Sequence, residues 1–472
     1  MYKLNSLFVK VEVVFLILFS FLVNYYYGSI GVLPQDTFAY YDSAYRILNG
    51  AVPFKDYWTV SGPFIDYLQA GFFYLFGISW KTYILNGSIV NTFITLLFYF
   101  VLKNFDLKRP YILFYSLCFA VLANPSMGVP FTDHYSTFLS LAGIFLFFIA
   151  IKKQKSIYWF LIPILFFLGF LSKQSPASYL LFTIIVLTLT YIFLFKKVDF
   201  LKYFFLSSII CLSSLYFFLI FNKIDLNIFL TQYIFYPQTI AEERLRNFNP
   251  DFKNIFLNFK FIYLLLFILI LTMLSIIRSK NVEKNFKNTI LNNQAIVLIT
   301  ISLIFHQIIT KNFIFIFFLI PLIGSFIQVN IQNGKKTKKY LSFFVIFVTL
   351  FATSKYHLRF NEDRKMLGST KNIKRLSRHS FIFNNSQLAS LRDQFTCAIN
   401  EVCSGTVISD AQRNGLLLLL TCHAQNVFSG QSNTLEISTH VRSSFTSVKA
   451  QTKQAELISR LANIWSKFSP NK

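Results

Sequence analysis

Long runs of apolar residues dominate the first three quarters of the chain. Several of them reach or approach the roughly 20 residues that a helix needs to cross a bilayer, and they lack the polar–apolar alternation of a soluble domain. The pattern predicts an all-α polytopic membrane protein with about eleven transmembrane helices. The approximate spans are 8–27, 83–102, 110–124, 135–151, 157–172, 177–195, 201–222, 259–277, 293–309, 313–330 and 340–354.

Composition and charge support this assignment. The chain is 54% hydrophobic, contains 60 Phe and has only 14% charged residues. Its net charge of +25 would also suit a nucleic-acid-binding protein, but most Lys and Arg occur in short clusters between apolar runs, and no nucleic-acid-binding motif is present. With eleven spans, every cluster falls on one side, which the positive-inside rule makes cytoplasmic. We therefore expect membrane lipids, and no nucleic acid, as partners.

The composition changes near Lys355. Residues 1–354 form the predicted transmembrane module, whereas residues 355–472 are richer in Ser, Asn, Gln and charged residues and predict a small extracytoplasmic region. Cys397 and Cys403 are close together in that region, so a disulfide between them is one of two open alternatives, the other being free thiols. Apolar residues at helical spacing near the C-terminus predict a terminal amphipathic helix.

A polar stretch follows the first apolar run, inside the predicted outer loop 28–82. If the residues from Asp36 to Asn49 are helical, Asp36, Tyr40 and Ser43 share one face. Carboxylates among aromatic residues at a bilayer surface are costly to maintain, which makes Asp36 a candidate for catalysis. The structural alternative is a first-turn carboxylate that the helix dipole favours.

Further polar residues are predicted on the same outer side. Acids there can act as bases or orient a substrate, and cations can bind a lipid phosphate; the alternative for each cation is snorkelling to lipid headgroups. The candidate substrate-binding residues are Tyr40, Asp42, Lys55, Asp56, Asp133, His134, Lys173, Gln174, Arg244, Arg246, His306 and Lys311.

The sequence carries weak signals for a metal. It has no HExxH motif, no paired CxxC motif and no EF-hand pattern. Asp36, Asp133, His134 and Glu243 would build a divalent-cation site only if the fold brought them together. We assign no metal-binding residue, and a divalent cation stays an open alternative.

The first outer loop resembles that of the GT-C membrane glycosyltransferases. The similar branch contains dolichyl-phosphate-mannose protein mannosyltransferases and bacterial lipid A aminoarabinose transferases (glycosyltransferase family 39-like). The resemblance covers about residues 1–354, and many members have two adjacent acids where this chain has Asp36 followed by Thr37. The residues that carry it are Asp36, the Tyr40–Gly50 stretch, Pro53-Phe54-Lys55-Asp56, Gly62-Pro63, Asp133-His134 and the Lys173 turn.

This resemblance implies an inverting glycosyltransferase at the outer face of a bacterial inner membrane, with Asp36 as general base. A polyprenyl-phosphate sugar would be the donor of a hexosyl or pentosyl group, and a lipid, glycan or protein would be the acceptor. Lys173, Arg244, Arg246 or Lys311 would stabilise the departing phosphate. A transporter or flippase of lipid-linked glycans remains open, although mid-helix positions are nearly free of charge. A glycan polymerase or ligase remains open as well.

Overall fold

The computed structural model describes residues 2–30, 36–246, 248, 251–278, 286–310, 315–332 and 337–365. These residues form fifteen α-helices joined by turns, and no strand occurs among them. In chain order the helices are α1 Tyr2–Ile30, α2 Asp36–Leu48, α3 Phe64–Phe76, α4 Trp80–Asn104, α5 Arg109–Leu122, α6 Thr132–Lys153, α7 Ser156–Ser172, α8 Gln174–Phe195, α9 Leu201–Phe221, α10 Leu226–Leu230, α11 Tyr236–Arg246, α12 Phe252–Arg278, α13 Phe286–Thr310, α14 Leu319–Ile331 and α15 Thr337–Lys365.

Seven helices of the described part are long and apolar enough to cross a membrane, and two more are apolar but shorter. The seven lie in α1, α4, α6, α8, α9, α12 and α13, and the shorter two are α7 and α14. The α-helical membrane class is therefore confirmed for the part of the chain that the structure describes. A helix also coincides with each remaining predicted span, in α5 and α15. The total of eleven crossings stays a prediction.

Helix α6 lies in the middle of the bundle. It packs against α4, α7 and α8, and nearly all of its side chains are buried. A helix that is apolar on every side cannot face water, and its contacts with α4, α7 and α8 place it inside the bundle instead of at the lipid. Phe138 of α6 packs against Phe318, which directly precedes α14, and Phe145 of α6 packs against Phe98 of α4. This central helix begins beside the candidate site.

Contacts gather several of the basic clusters at one end of the bundle. Arg109 at the start of α5 pairs with Glu12 of α1 at 2.7 Å, and Lys152 at the end of α6 pairs with Asp106 at 2.6 Å. Lys287 near the start of α13 donates to a carbonyl in the last turn of α8. We call this the basic end. The site end is the opposite one, with the last turn of α1, the start of α6 and the turn between α7 and α8. Which end faces the cytoplasm stays a prediction.

The predicted first outer loop is largely helical. Its helix α2 begins at Asp36, so the condition under which Asp36, Tyr40 and Ser43 share one face is met. Helix α2 packs against α3, which in turn contacts α4 and α7. Gly62 allows a close approach to α7, because a Cβ on it would lie 1.9 Å from the Leu171 carbonyl oxygen. The loop therefore sits directly on the site end of the bundle.

The predicted loop 223–258 is also mostly helical. It contains α10, a π-helical turn over Thr231–Phe235 and α11. Gln232 in the turn accepts the Thr59 N–H at 3.1 Å and donates to the Phe54 carbonyl at 3.0 Å. The Phe54 ring packs edge-on against Phe229. This segment thus docks onto the first outer loop. The predicted Cys397–Cys403 pair, the terminal helix and the rest of the region after residue 365 lie outside the described residues.

Two glycines bring α1 against the loop that precedes α6. Gly128 has a φ of +74°, and a Cβ on it would lie 2.5 Å from the Gly28 Cα. Asn24 of α1 donates to the Gly128 carbonyl at 3.1 Å and accepts from Asn124 at 3.1 Å. This contact fixes the loop that leads into the first turn of α6.

We predict that Gly128→Ala destabilises the fold by roughly 2–4 kcal/mol, because an added methyl overpacks the contact and strains a left-handed residue. The midpoint of thermal unfolding in detergent should fall accordingly. Gly71→Ala is the matched control, since a Cβ there meets nothing within 4 Å and Ala favours the helix. Equal midpoints for the Gly128 and Gly71 variants would contradict the tight contact.

Candidate functional site

A buried carboxylate at the site end bonds to two basic side chains. Asp133 Oδ2 accepts from Lys173 Nζ at 2.7 Å, and Asp133 Oδ1 accepts from His306 Nε2 at 2.8 Å. The Asp133 and His306 side chains are 3% and 2% exposed, whereas that of Lys173 is 30% exposed. We call these three residues the ion cluster. The cluster joins three parts of the chain that the sequence offers only as separate candidates.

Local sequence explains where each member stands. Asp133 lies in the first turn of α6, where the positive end of the helix dipole favours an acid. Lys173 is extended between α7 and α8, and its carbonyl accepts from Ser136 of α6 at 2.9 Å. Ser175 is also extended and Pro176 follows it, a serine–proline order typical of a helix start. His306 lies one turn before the end of α13.

The ion cluster continues to a serine hydroxyl. Ser175 Oγ lies 2.8 Å from His306 Nδ1. An ionised Asp133 can only accept, so His306 Nε2 carries the proton and donates to it. In the neutral ring, Nδ1 then accepts from the Ser175 hydroxyl. Ser175 is half-buried, so this series of bonds leads from a half-buried serine to an enclosed carboxylate.

Helix α2 lies against the start of α6. Tyr40 of α2 donates to Thr132 Oγ1 at 3.1 Å. Asp36 is the first residue of α2, and the position of its side chain lies outside what the structure describes. His134 follows Asp133 but faces elsewhere, because its Nε2 lies 2.7 Å from Ser126 Oγ. The predicted base therefore begins a helix that contacts the first turn of α6, while His134 supports the loop before it.

Gln174, next to the ion cluster, connects two segments that cover the site end. Its amide donates to the carbonyls of Val60 at 3.0 Å and Tyr233 at 2.5 Å. The first outer loop and the π-helical turn are thereby tied to the start of α8. Gln174 positions these segments through its side chain.

Of the other predicted substrate-binding residues, those that the structure describes do not contact the ion cluster. Asp42 pairs with Arg46 at 2.9 Å within α2, and Asp56 accepts the Val52 N–H at 2.7 Å within a turn. Lys55 is exposed in that turn, and both α11 arginines are exposed. Lys311 lies outside the described residues. The contacts of the described residues do not test whether these residues bind substrate. The residues concerned are Asp42, Lys55, Asp56, Arg244, Arg246 and Lys311.

Sequence reasoning missed a buried acid in α3. Asp66 is 1% exposed, and its Oδ2 accepts from the Tyr57 hydroxyl at 3.3 Å. Burial raises the pKa of the Asp66 carboxyl to about 8; the Tyr57 hydrogen bond opposes the rise and the Asp42 charge adds to it. One signal was present in the sequence, since this acid interrupts an otherwise apolar helix just after Gly62-Pro63.

A buried acid of this kind predicts a pH-dependent stability. Between the ordinary Asp pKa of about 4 and the folded value of about 8, the folded chain holds a proton that the unfolded chain has lost. Stability should therefore fall as pH rises through this window, by at most about 1.4 kcal/mol per pH unit, and level off above it. In Asp66→Asn, the midpoint of thermal unfolding should depend less on pH between pH 5 and 8 than it does in the wild type.

The control for this experiment is Asp199→Asn, which changes an exposed acid and should leave the slope with pH as in the wild type. Parallel pH profiles for the wild type and Asp66→Asn would refute the assignment of the proton to Asp66.

The described residues bring together no group of three or more His, Cys, Asp or Glu side chains that could hold a metal ion. Two of the four residues considered for a divalent site, Asp133 and His134, instead have the separate partners given above. The structure accordingly adds nothing in favour of a divalent cation.

Comparison with known proteins gives no relative: no protein-family model matches the chain, and no curated protein matches it.

Proposed function

We propose that the chain is a membrane glycosyltransferase that moves a hexosyl or pentosyl group from a polyprenyl-phosphate donor to a lipid, glycan or protein acceptor. Asp36 is the general base in this proposal. The observation that carries it is the convergence of Asp133, Lys173 and His306 at the start of α6, next to the helix that begins at Asp36. We place this end on the outer face of a bacterial inner membrane.

Lys173 suits the phosphate of a lipid-linked donor. Its side chain is partly exposed at the end of the helices, where the phosphate of a membrane lipid would lie, while its ammonium is held from the buried side by Asp133. A fixed, partly dehydrated cation stabilises a phosphate more strongly than a mobile one in water. The exposed Arg244 and Arg246 of α11 would add positive charge for the approach of the donor.

In the proposed reaction, the Asp36 carboxylate takes the proton of an acceptor hydroxyl or amine. The acceptor oxygen or nitrogen bonds to the anomeric carbon from the face opposite the phosphate, and the carbon–oxygen bond to the phosphate breaks. The phosphate leaves with the bonding electrons and gains charge, which Lys173 stabilises. Inversion follows from this single displacement.

The experiment that tests the function is a donor panel. The full chain in lipid nanodiscs is supplied with synthetic polyprenyl-phosphate hexoses and pentoses, together with a membrane extract as the source of acceptors. Release of polyprenyl phosphate coupled to sugar transfer is the expected result. No release from any donor, combined with movement of an intact lipid-linked glycan across proteoliposomes, would replace the proposal with the transporter alternative.

A further inference from the structure

We propose that Ser175 is a nucleophile for acyl transfer, activated by His306 and Asp133, and that its substrate is a carboxylic ester at the membrane surface. This reaction shares Asp133 and His306 of the ion cluster with the proposed sugar transfer, but it needs neither a sugar donor nor Asp36. The proposal begins from the hydrogen-bonded series of a serine, a histidine and an aspartate that crosses α8, α13 and α6.

The geometry meets the requirements for an activated hydroxyl. The serine–histidine and histidine–aspartate contacts are both 2.8 Å. A base within hydrogen-bond reach of the nucleophile, itself oriented by a third group, is the arrangement that activates serine in unrelated folds. Here the aspartate binds Nε2 and the serine faces Nδ1. The roles of the two nitrogens are exchanged relative to the common triad, and the direction of proton transfer is the same.

Each member is held in place by contacts of its own. Asp133 is also bound by Lys173, which keeps the carboxylate ionised and its second oxygen occupied. The His306 ring lies against Tyr179, with 6.0 Å between the ring centres. The bond to Asp133 keeps the proton on His306 Nε2 and leaves Nδ1 to accept the serine proton.

Ser175 is the least buried of the three members of the series. It is half-buried, whereas Asp133 and His306 are almost fully enclosed. It lies at the start of the 22-residue helix α8. The positive end of that helix and the nearby Lys173 ammonium both favour negative charge on oxygen. The ester groups of membrane lipids occupy the same depth as the ends of membrane-spanning helices, which selects an ester of a lipid-like acyl chain as the substrate class.

The proposed reaction consists of two successive displacements at the ester carbonyl carbon. Ser175 Oγ bonds to the ester carbonyl carbon while its proton passes to His306 Nδ1. The carbon–oxygen bond to the alcohol then breaks, and the alcohol leaves with the proton from His306. Water, or a second alcohol, attacks the acyl-serine in the same way and regenerates Ser175. Asp133 keeps its charge throughout and stabilises the imidazolium that forms.

The test uses an alkyl fluorophosphonate probe on the full-length protein in detergent micelles. In this reagent a nucleophilic serine oxygen displaces fluoride from phosphorus. We expect a covalent adduct on Ser175 in the wild type, identified by peptide mass spectrometry, and its loss in Ser175→Ala. His306→Gln should slow labelling about 10²–10⁴-fold, the usual contribution of a general base.

Ser178→Ala is the matched control, because Ser178 is exposed on the same helix and its hydroxyl bonds to the Gln174 carbonyl. It should label at the wild-type rate. Thermal midpoints identify any variant that fails to fold, and the wild-type adduct needs no variant at all. Absence of an adduct on Ser175 in folded wild-type protein, or labelling that survives Ser175→Ala, would overturn the proposal.

Discussion

Asp36→Asn should slow the release of polyprenyl phosphate by about 10²–10⁴-fold, because an amide cannot take the proton of the attacking acceptor. Asn has nearly the shape of Asp and is also favoured at helix starts, so α2 should persist. Transfer is measured in membranes at equal expression of the two proteins. The expected change is in the rate of transfer, with donor binding retained.

Asp199→Asn is the comparison for this effect. Asp199 is an exposed acid just before α9 and is not among the candidate site residues. We expect its transfer rate to stay within about threefold of the wild type. If Asp36→Asn transferred sugar as fast as Asp199→Asn, another group would have to be the base.

Asp133→Asn should both destabilise the protein and abolish transfer. Removing one member of a buried ion pair costs about 3–5 kcal/mol when the remaining charge is left enclosed. His306 is left in an enclosed site, while the partial exposure of Lys173 moderates the cost. The midpoint of thermal unfolding in detergent should fall, and the fraction that remains folded should bind donor less tightly because Lys173 has lost its anchor.

Asp106→Asn is the control, because it removes an exposed ion pair where Asp133→Asn removes a buried one. Asp106 also bonds to a lysine, Lys152 at 2.6 Å, but its side chain is 82% exposed. Exposed pairs contribute about 0–1 kcal/mol, and Asn tolerates the positive φ of 57° at this position. A midpoint for Asp133→Asn as high as that of Asp106→Asn would show that the ion cluster does not hold the site end together.

The helices could be predicted from the sequence because their signal is local. A long apolar run specifies a helix without reference to the rest of the chain, whereas a helix from Asp36 was only a condition in the sequence analysis. The loop 223–258 was underestimated, since its short helices form by packing on Phe54 and its neighbours. Such contacts join residues far apart in sequence, and no local pattern records them.

In the candidate site, too, single residues could be predicted from the sequence, whereas the contacts between them could not. Asp133, Lys173 and His306 each stood out as a polar residue at the end of an apolar run, but their pairing depends on how α6, α8 and α13 pack. Ser175 gave no signal, since a serine before proline is ordinary at a helix start. Asp66 has no polar cluster around it in the sequence, and its signal is that it is the only charged residue of a mostly apolar helix.

The order of the ion cluster along the chain has a consequence for biosynthesis. Asp133 opens the hairpin of α6 and α7, and Lys173, which comes 40 residues later, follows directly after it. The hairpin therefore carries its own counterion when it leaves the translocon. At that time His306, which lies 173 residues after Asp133, has not yet been translated. A nascent chain cut short after α8 should already insert α6 and α7 stably, because the acid at the first end of the hairpin is neutralised by the base at the other.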